Sequence, residues 1–135
     1  MYDDNQGKDV VVEWSFPGID MNKKLWYAAN SLQMMDKTLD HREQYILDTN
    51  QTYSTNFYPV TSAIASRDST SDLQVTVMND RTQSGAAGLR NSNNIEIMQN
   101  RRLLIDDSKG IREPLDEKDP RKPLRGIQTK ANYWL

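Results

Sequence analysis

A run of alternating apolar and polar side chains at residues 73–78, Leu-Gln-Val-Thr-Val-Met, constrains the fold more than any other stretch. Period-two alternation is the pattern of a β-strand with one buried and one solvated face. The polar residues 68–72 before it predict a hairpin loop. Residues 73–78 are therefore predicted to form a half-buried strand that follows a tight turn.

Several other short segments have strand character. The sequence predicts further strands at 9–15, 25–29, 32–35, 57–65, 94–98 and 128–135, a tight connection at Asn30, and a flexible loop of small residues at 84–88. Residues 36–47 are ambiguous and are interpreted as strand or extended chain. Many short strands with turns between them predict an all-β fold, an antiparallel β-sandwich.

Length and charge limit the classes of function. The 135 residues suffice for one domain, but only 36% are hydrophobic and 27% are charged, which predicts a thinly packed core. Seventeen basic and nineteen acidic residues are mixed along the chain, which argues against nucleic acid or an anionic membrane as partner. There is no cysteine and one histidine, so cysteine chemistry is excluded and a zinc site made by this chain alone is not expected. No apolar run is long enough to cross a bilayer, and residues 1–7 lack the features of a signal peptide.

Residues 101–110 combine two arginines, three aliphatic residues and an acidic turn. The apolar residues 103–105 predict a short buried strand, and residues 106–110 predict the turn that closes it. Residues 111–126 contain three prolines and many charges, so they are predicted to form a long exposed loop.

Few residues are candidates for catalysis. His41 lies in a charged run and is interpreted as a solvated surface histidine. Asp106 and Asp107 are adjacent acids, whose side chains on a strand would point to opposite faces, so they are predicted to stabilise a turn. The spacing of Asp106 and Glu117 matches a calcium-binding loop, but Ile111 occupies the position that requires glycine. Catalytic and metal-binding residues are therefore predicted to be absent.

Asn50-Gln51-Thr52 is an N-glycosylation sequon. It predicts that Asn50 lies in a surface loop.

Five segments follow one another in an informative order. They are Asn-Gln-Thr at 50–52, Asn-Phe-Tyr-Pro-Val at 56–60, Leu-Gln-Val-Thr-Val at 73–77, Asp-Arg-Thr-Gln-Ser-Gly at 80–85, and the whole of 101–110 followed by Glu-Pro-Leu at 113–115. This series resembles the α-mannosidases of glycoside hydrolase family 38, most closely the lysosomal-type branch. The resemblance extends from about Gly7 to Leu135.

The resemblance implies that residues 1–135 are a single segment of the central or C-terminal β-sandwich region, an incomplete piece of a larger, supersandwich-like domain. It also implies that zinc and the catalytic carboxylates lie in another domain, so that this segment alone is inactive and holds no cofactor. The whole enzyme would hydrolyse α-mannosides by a retaining mechanism in the lysosome or the secretory pathway. The partners of this segment would be the catalytic and helical domains of the same enzyme and mannose-containing glycans.

Arg101 and Arg102 are the predicted substrate-binding residues. The resemblance implies that loops of the β region border the active site, and a guanidinium group can hold vicinal sugar hydroxyls. Successive strand residues face opposite ways, so at most one arginine would reach a sugar, and the other interpretation is a structural ion pair with a nearby acid.

A different function for the whole chain also stays open, a stand-alone carbohydrate-binding or interaction module without hydrolase activity. A third hypothesis is a truncated chain that self-associates through exposed strand edges.

Overall fold

The computed structural model describes residues 8–47, 49–103, 105–106, 108–110, 112 and 114–135. The chain divides into two compact units, unit 1 with Met1–Val11 and Met98–Lys130, and unit 2 with Val12–Ile97 and Ala131–Leu135. The described strands are β1 (Lys8–Ser15), β2 (Lys24–Tyr27), β3 (Met35–Thr38), β4 (Tyr58–Val60), β5 (Ala63–Arg67), β6 (Gln74–Asn79), β7 (Gln83–Ala87), β8 (Asn94–Arg102), β9 (Lys118–Asp119), β10 (Lys122–Gly126) and β11 (Tyr133–Trp134). A short 3-10 helix, Thr49–Gln51, leads into helix α1, Thr52–Asn56.

The strands form three sheets. The five-stranded sheet has the order β11-β6-β5-β2-β3, the four-stranded sheet β1-β8-β7-β4, and β10 pairs with β9. In the five-stranded sheet every pairing is antiparallel, with Ile64 opposite Val77 and Leu25 opposite Lys37. The predicted all-β, antiparallel, sandwich-like fold is confirmed.

The core of unit 2 lies between the five-stranded and four-stranded sheets. Leu25, Ile64 and Val77 come from the five-stranded sheet, and Val60 and Ile97 come from the four-stranded sheet, all with 0% exposure. Because side chains of both sheets interdigitate here, burial of these aliphatic groups holds the two layers together.

The chain changes sheets between β4 and β5, although residues 57–65 were predicted as one strand. The backbone N–H of Thr61 donates to Ala28 O at 2.8 Å, and Asn79 Nδ2 donates to Val60 O at 3.0 Å. These bonds satisfy backbone groups at the corner. Both halves of the segment are apolar and bury side chains, so the pattern does not reveal the break. Pro59 lies in β4, an edge strand, where its missing N–H removes no ladder bond.

In the first half of unit 2, the strand predicted at 32–35 is wrong in position, and the prediction of strand or extended chain at 36–47 agrees with the structure as strand only to Thr38. The predicted strand at 32–35 is mostly a turn, because Asn30 Oδ1 accepts hydrogen bonds from the N–H groups of Leu32 (3.0 Å) and Gln33 (3.3 Å), and β3 begins only at Met35. The ambiguous residues 36–47 continue β3 to Thr38 and then have no strand or helix.

The predicted loop of small residues at 84–88 is instead mostly strand β7. A Cβ atom at Gly85 would lie 2.8 Å from Val60 Cγ2, so a larger residue does not fit between the layers. Close packing therefore requires glycine at position 85, a residue that is also typical of loops.

Strands β1, β6 and β8 agree with their predictions, and β8 continues to Arg102. The predicted strand at 128–135 is reduced to β11. Asp80 Oδ2 accepts hydrogen bonds from the N–H (3.0 Å) and Nδ2 (2.9 Å) of Asn132, just before β11. Arg81 and these bonds lower the pKa of Asp80 to about 2, so its carboxylate stays ionised at neutral and mildly acidic pH.

Unit 1 differs from the prediction at two places. Residues 103–105 are not a buried strand, because β8 ends at Arg102 and Ile105 is 85% exposed, while Leu104 lies outside the described residues. The predicted exposed loop at 111–126 contains the hairpin of β9 and β10. Asp119 is buried there and accepts a hydrogen bond from the N–H of Arg121 at 2.9 Å. Most other described residues of 111–126 are exposed.

Candidate functional site

Arg101 is the second-last residue of β8 and belongs to unit 1. Its Nε is 3.1 Å from Asp9 Oδ1 in β1, and both side chains are partly exposed. The backbone N–H of Arg101 also donates a hydrogen bond to Asn100 Oδ1 at 3.0 Å. A solvated pair of this kind contributes about 0–1 kcal/mol to stability, so its main effect is to orient the guanidinium group.

Arg102 is half-buried and, as the next strand residue, is directed to the other face of β8. Its Cδ lies 3.7 Å, and its Nε and Nη1 lie 3.8 Å, from the position that a Cβ of residue 126 would occupy. Arg102 therefore packs along Gly126 of β10. The two predicted substrate-binding residues have different surroundings, and Arg101 is the more accessible one.

The acidic turn after the arginines has a structural geometry. Asp106 Oδ2 accepts a hydrogen bond from the backbone N–H of Ser108 at 3.0 Å, and Ser108 has a positive φ of 59°. This is the turn-forming role predicted for Asp106, whereas Asp107 lies outside the described residues.

The other candidates are on the surface. Asn50 is exposed in the 3-10 helix before α1, so the sequon is accessible, and its glycosylation stays a prediction. His41 is exposed as well. Within the part of the chain that the structure describes, no three His, Cys, Asp or Glu side chains are grouped so that they could hold a metal ion. Nor is any helix of these residues long and apolar enough to span a membrane.

No family model matches the sequence. Comparison with known proteins does find relatives, and the α-mannosidase of Canavalia ensiformis is 30% identical over 136 residues, which are 98% of this chain and 13% of that protein. The lysosomal α-mannosidases of Mus musculus and Homo sapiens are 31% and 32% identical over 123 residues, 91% of this chain and 12% of each protein.

The chain is similar to one segment of these α-mannosidases.

The chain spans only about an eighth of the length of these α-mannosidases. The similarity, which covers 91–98% of this chain, confirms the predicted resemblance to the α-mannosidases. Its markers are dispersed over the structure, since residues 73–77 lie mainly in β6, residues 80–85 run into β7, and residues 101–102 are the last two residues of β8, which the described residues of 103–110 follow.

Two clusters of side chains in this structure were not predicted from sequence. In the first, the rings of Tyr27 and Tyr58 stack with centroids 5.1 Å apart, and the Arg42 guanidinium lies 5.0 Å from the Tyr58 centroid. Burial raises the pKa of Tyr58, and the positive charge of Arg42 opposes that rise. Since Arg42 follows β3 and its guanidinium group lies against Tyr58 of β4, the cluster ties the segment after β3 to β4, while Arg42 Nη1 donates locally to His41 O at 2.8 Å.

The second cluster surrounds Glu96 in β8, which has 0% exposure. Its partners Asn94 and Arg90 are close in sequence, but the alternating pattern of 94–98 predicts only that polar residues face away from the core. The sequence signal for this cluster is the spacing of Asn94 and Glu96, because residues two apart on a strand lie on the same face.

Proposed function

We propose that this chain is a non-catalytic β-sandwich portion of an α-mannosidase, and that the whole protein hydrolyses α-mannosides in glycans. The supporting observation is the extent of similarity, which covers 84–98% of this chain but only 11–13% of each α-mannosidase. A segment this small would act by supporting and bordering a catalytic domain formed elsewhere in the protein.

The proposal places the zinc ion and the catalytic carboxylates of a family 38 enzyme outside this chain. The side chains that the structure describes offer no grouped set of metal ligands, so no step of the reaction is assigned to them. The catalytic and helical domains of the same enzyme are the proposed partners. Several relatives are named lysosomal α-mannosidases, which supports a lysosomal or secretory location.

An assay of α-mannoside hydrolysis tests this proposal. We expect the protein encoded by the complete gene to hydrolyse an aryl α-mannoside, and the 135-residue chain alone to give no hydrolysis above a buffer control. A complete gene that encodes no further domain would contradict the proposal. Glycan binding by the 135-residue chain without hydrolysis by the complete protein would favour the stand-alone carbohydrate-binding module.

We further propose that Arg101 contacts the substrate at the rim of the active site. The Asp9 carboxylate orients its guanidinium group, which stays partly exposed and has donors beyond the one directed at Asp9. Arg102 is the less suitable of the two because it packs along Gly126.

Substitutions in the complete enzyme separate a substrate contact from a structural ion pair. A charge-assisted hydrogen bond contributes about 1.5–3 kcal/mol, so Arg101→Ala is expected to lower kcat/KM by about 10-fold or more. Asp9→Ala is the matched control, since it breaks the same ion pair and keeps the guanidinium group. Because the guanidinium group remains in Asp9→Ala, this variant is expected to lose less kcat/KM than Arg101→Ala, and an unchanged kcat/KM for Arg101→Ala would rule out the contact.

A further inference from the structure

Glu96 and Asn94 form a buried polar pair on one face of β8. Ile95 and Ile97 alternate with them and pack into the core of unit 2, so Glu96 and Asn94 project from the opposite face of the four-stranded sheet. Both polar residues have 0% exposure. A completely buried glutamate is rare because its charged form loses the solvation of water.

The hydrogen bonding of this pair is half complete. Asn94 Nδ2 donates to Glu96 Oε1 at 3.0 Å. The remaining two oxygens, Glu96 Oε2 and Asn94 Oδ1, are buried and have no hydrogen-bond partner. Both are acceptors when the carboxyl group is ionised, so neither can satisfy the other, and an unsatisfied buried polar atom is unfavourable.

The charges near Glu96 come from Arg90 and Glu13, and Tyr53 contacts Arg90. Arg90, in the turn before β8, places its Nε 3.7 Å from Glu96 Oε1, but its side chain is 52% exposed and therefore well solvated. Tyr53 of α1 places its ring 5.7 Å from the Arg90 guanidinium carbon. Glu13 of β1 adds a second negative charge, and β7, with the sequence Gln-Ser-Gly-Ala-Ala, has no titratable residue. The positive charge of Arg90 thus stabilises ionised Glu96 in part, while the negative charge of Glu13 destabilises it.

We propose that Glu96 is a proton-binding site, at which Oε2 takes up a proton from solvent and donates it in a hydrogen bond to Asn94 Oδ1. The neutral carboxyl group and the amide then form a doubly hydrogen-bonded pair. No other bond changes, and the uptake removes one negative charge from the buried face. Proton binding therefore satisfies both oxygens and stabilises unit 2 at acidic pH.

The direction of the pH effect follows from the environment. Burial raises the pKa of Glu96, the charge of Arg90 lowers it, and the charge of Glu13 raises it further. Because the pKa is higher in the folded than in the unfolded chain, the stabilisation is complete below the unfolded value of about 4.3 and is lost as pH rises through the folded value.

The unfolding of the full 135-residue chain in urea, measured from about pH 4.5 to about pH 7.5, tests the site. All three tryptophans, Trp14, Trp26 and Trp134, lie in unit 2, so their fluorescence reports its unfolding. Glu96→Gln carries a permanent donor in place of the proton and cannot titrate. We expect the unfolding constant of the unmodified chain, relative to that of Glu96→Gln, to rise by about 10-fold or more over this range.

Glu13→Gln is the matched control, because it removes an exposed negative charge beside the same face and leaves Glu96 able to titrate. We expect this variant to keep most of the pH dependence of the unmodified chain. Parallel pH profiles for the unmodified chain and Glu96→Gln would overturn the proposal.

A second measurement does not depend on the folding of a variant. In the unmodified chain with carbon-13 at the glutamate carboxyl groups, we expect the Glu96 resonance to titrate at a higher pH than those of the exposed glutamates. A Glu96 midpoint at or below about 4.3, the ordinary value for glutamate, would overturn the proposal.

Discussion

Ile64→Ala is expected to lower the free energy of unfolding of unit 2 by about 2–5 kcal/mol. Ile64 has 0% exposure and lies in β5, opposite Val77 of β6, where it packs in the core between the two larger sheets. The substitution removes three buried carbon atoms and leaves a cavity that the surrounding strands fill only in part. Urea unfolding followed by tryptophan fluorescence measures the change.

Ile46→Ala is the matched control for this prediction. It makes the same chemical change at a side chain that is 99% exposed, so the free energy of unfolding is expected to change by no more than about 0.5 kcal/mol. Equal losses at the two positions would contradict the core described for unit 2.

Gly85→Ala is expected to destabilise unit 2 by about 1–3 kcal/mol. The added methyl group would lie 2.8 Å from Val60 Cγ2, 3.3 Å from Ile64 Cδ1 and 3.2 Å from the backbone oxygen of Glu96. Replacing glycine usually gains about 0.4–1 kcal/mol by restricting the unfolded chain, but here the overlap with buried groups outweighs that gain. The midpoint of urea unfolding should therefore fall.

Gly110→Ala provides the comparison for Gly85→Ala. No atom lies within 4 Å of the position that its Cβ would occupy, and its φ is not in the left-handed region. We expect this variant to leave the unfolding midpoint unchanged or slightly raised. A Gly85→Ala protein as stable as Gly110→Ala would show that β4 and β7 are not as closely packed as described.

The strands that sequence predicted well have a residue pattern that reports directly on burial. In β6, Val75 and Val77 alternate with polar residues and pack toward the core, although Met78 is exposed and Asn79 is buried. Residues 8–15 are rich in β-branched side chains, so their local preference agrees with their position in a sheet. The order of the five marker segments also sufficed to predict the relationship to the α-mannosidases, because order and spacing do not require knowledge of contacts.

The features that sequence missed depend on contacts between distant residues. The small residues of β7 have the composition of a loop, but at Gly85 the closeness of Val60 makes small size a packing requirement. The corner between β4 and β5 joins two apolar segments, so no change in pattern marks it. The ion pair of Arg101 with Asp9 joins residues that are far apart in the sequence, so neither segment alone reveals it.

The candidate site was predictable only in part. Sequence identified Arg101, Arg102 and the turn-forming role of Asp106, since these depend on local chemistry. It did not identify Glu96, because a polar residue in an alternating strand is normally on the solvated face. The structure instead buries Glu96 completely.

The division into units has an evolutionary consequence. The second stretch of unit 1, Met98–Lys130, interrupts the sequence of unit 2, and β11 follows only after it. Doubling the length of a flexible connection costs only about 0.6 kcal/mol in closure entropy. Insertions and deletions between β8 and β9 should therefore be tolerated during divergence, while the lengths of the strands that form the core of unit 2 remain constrained.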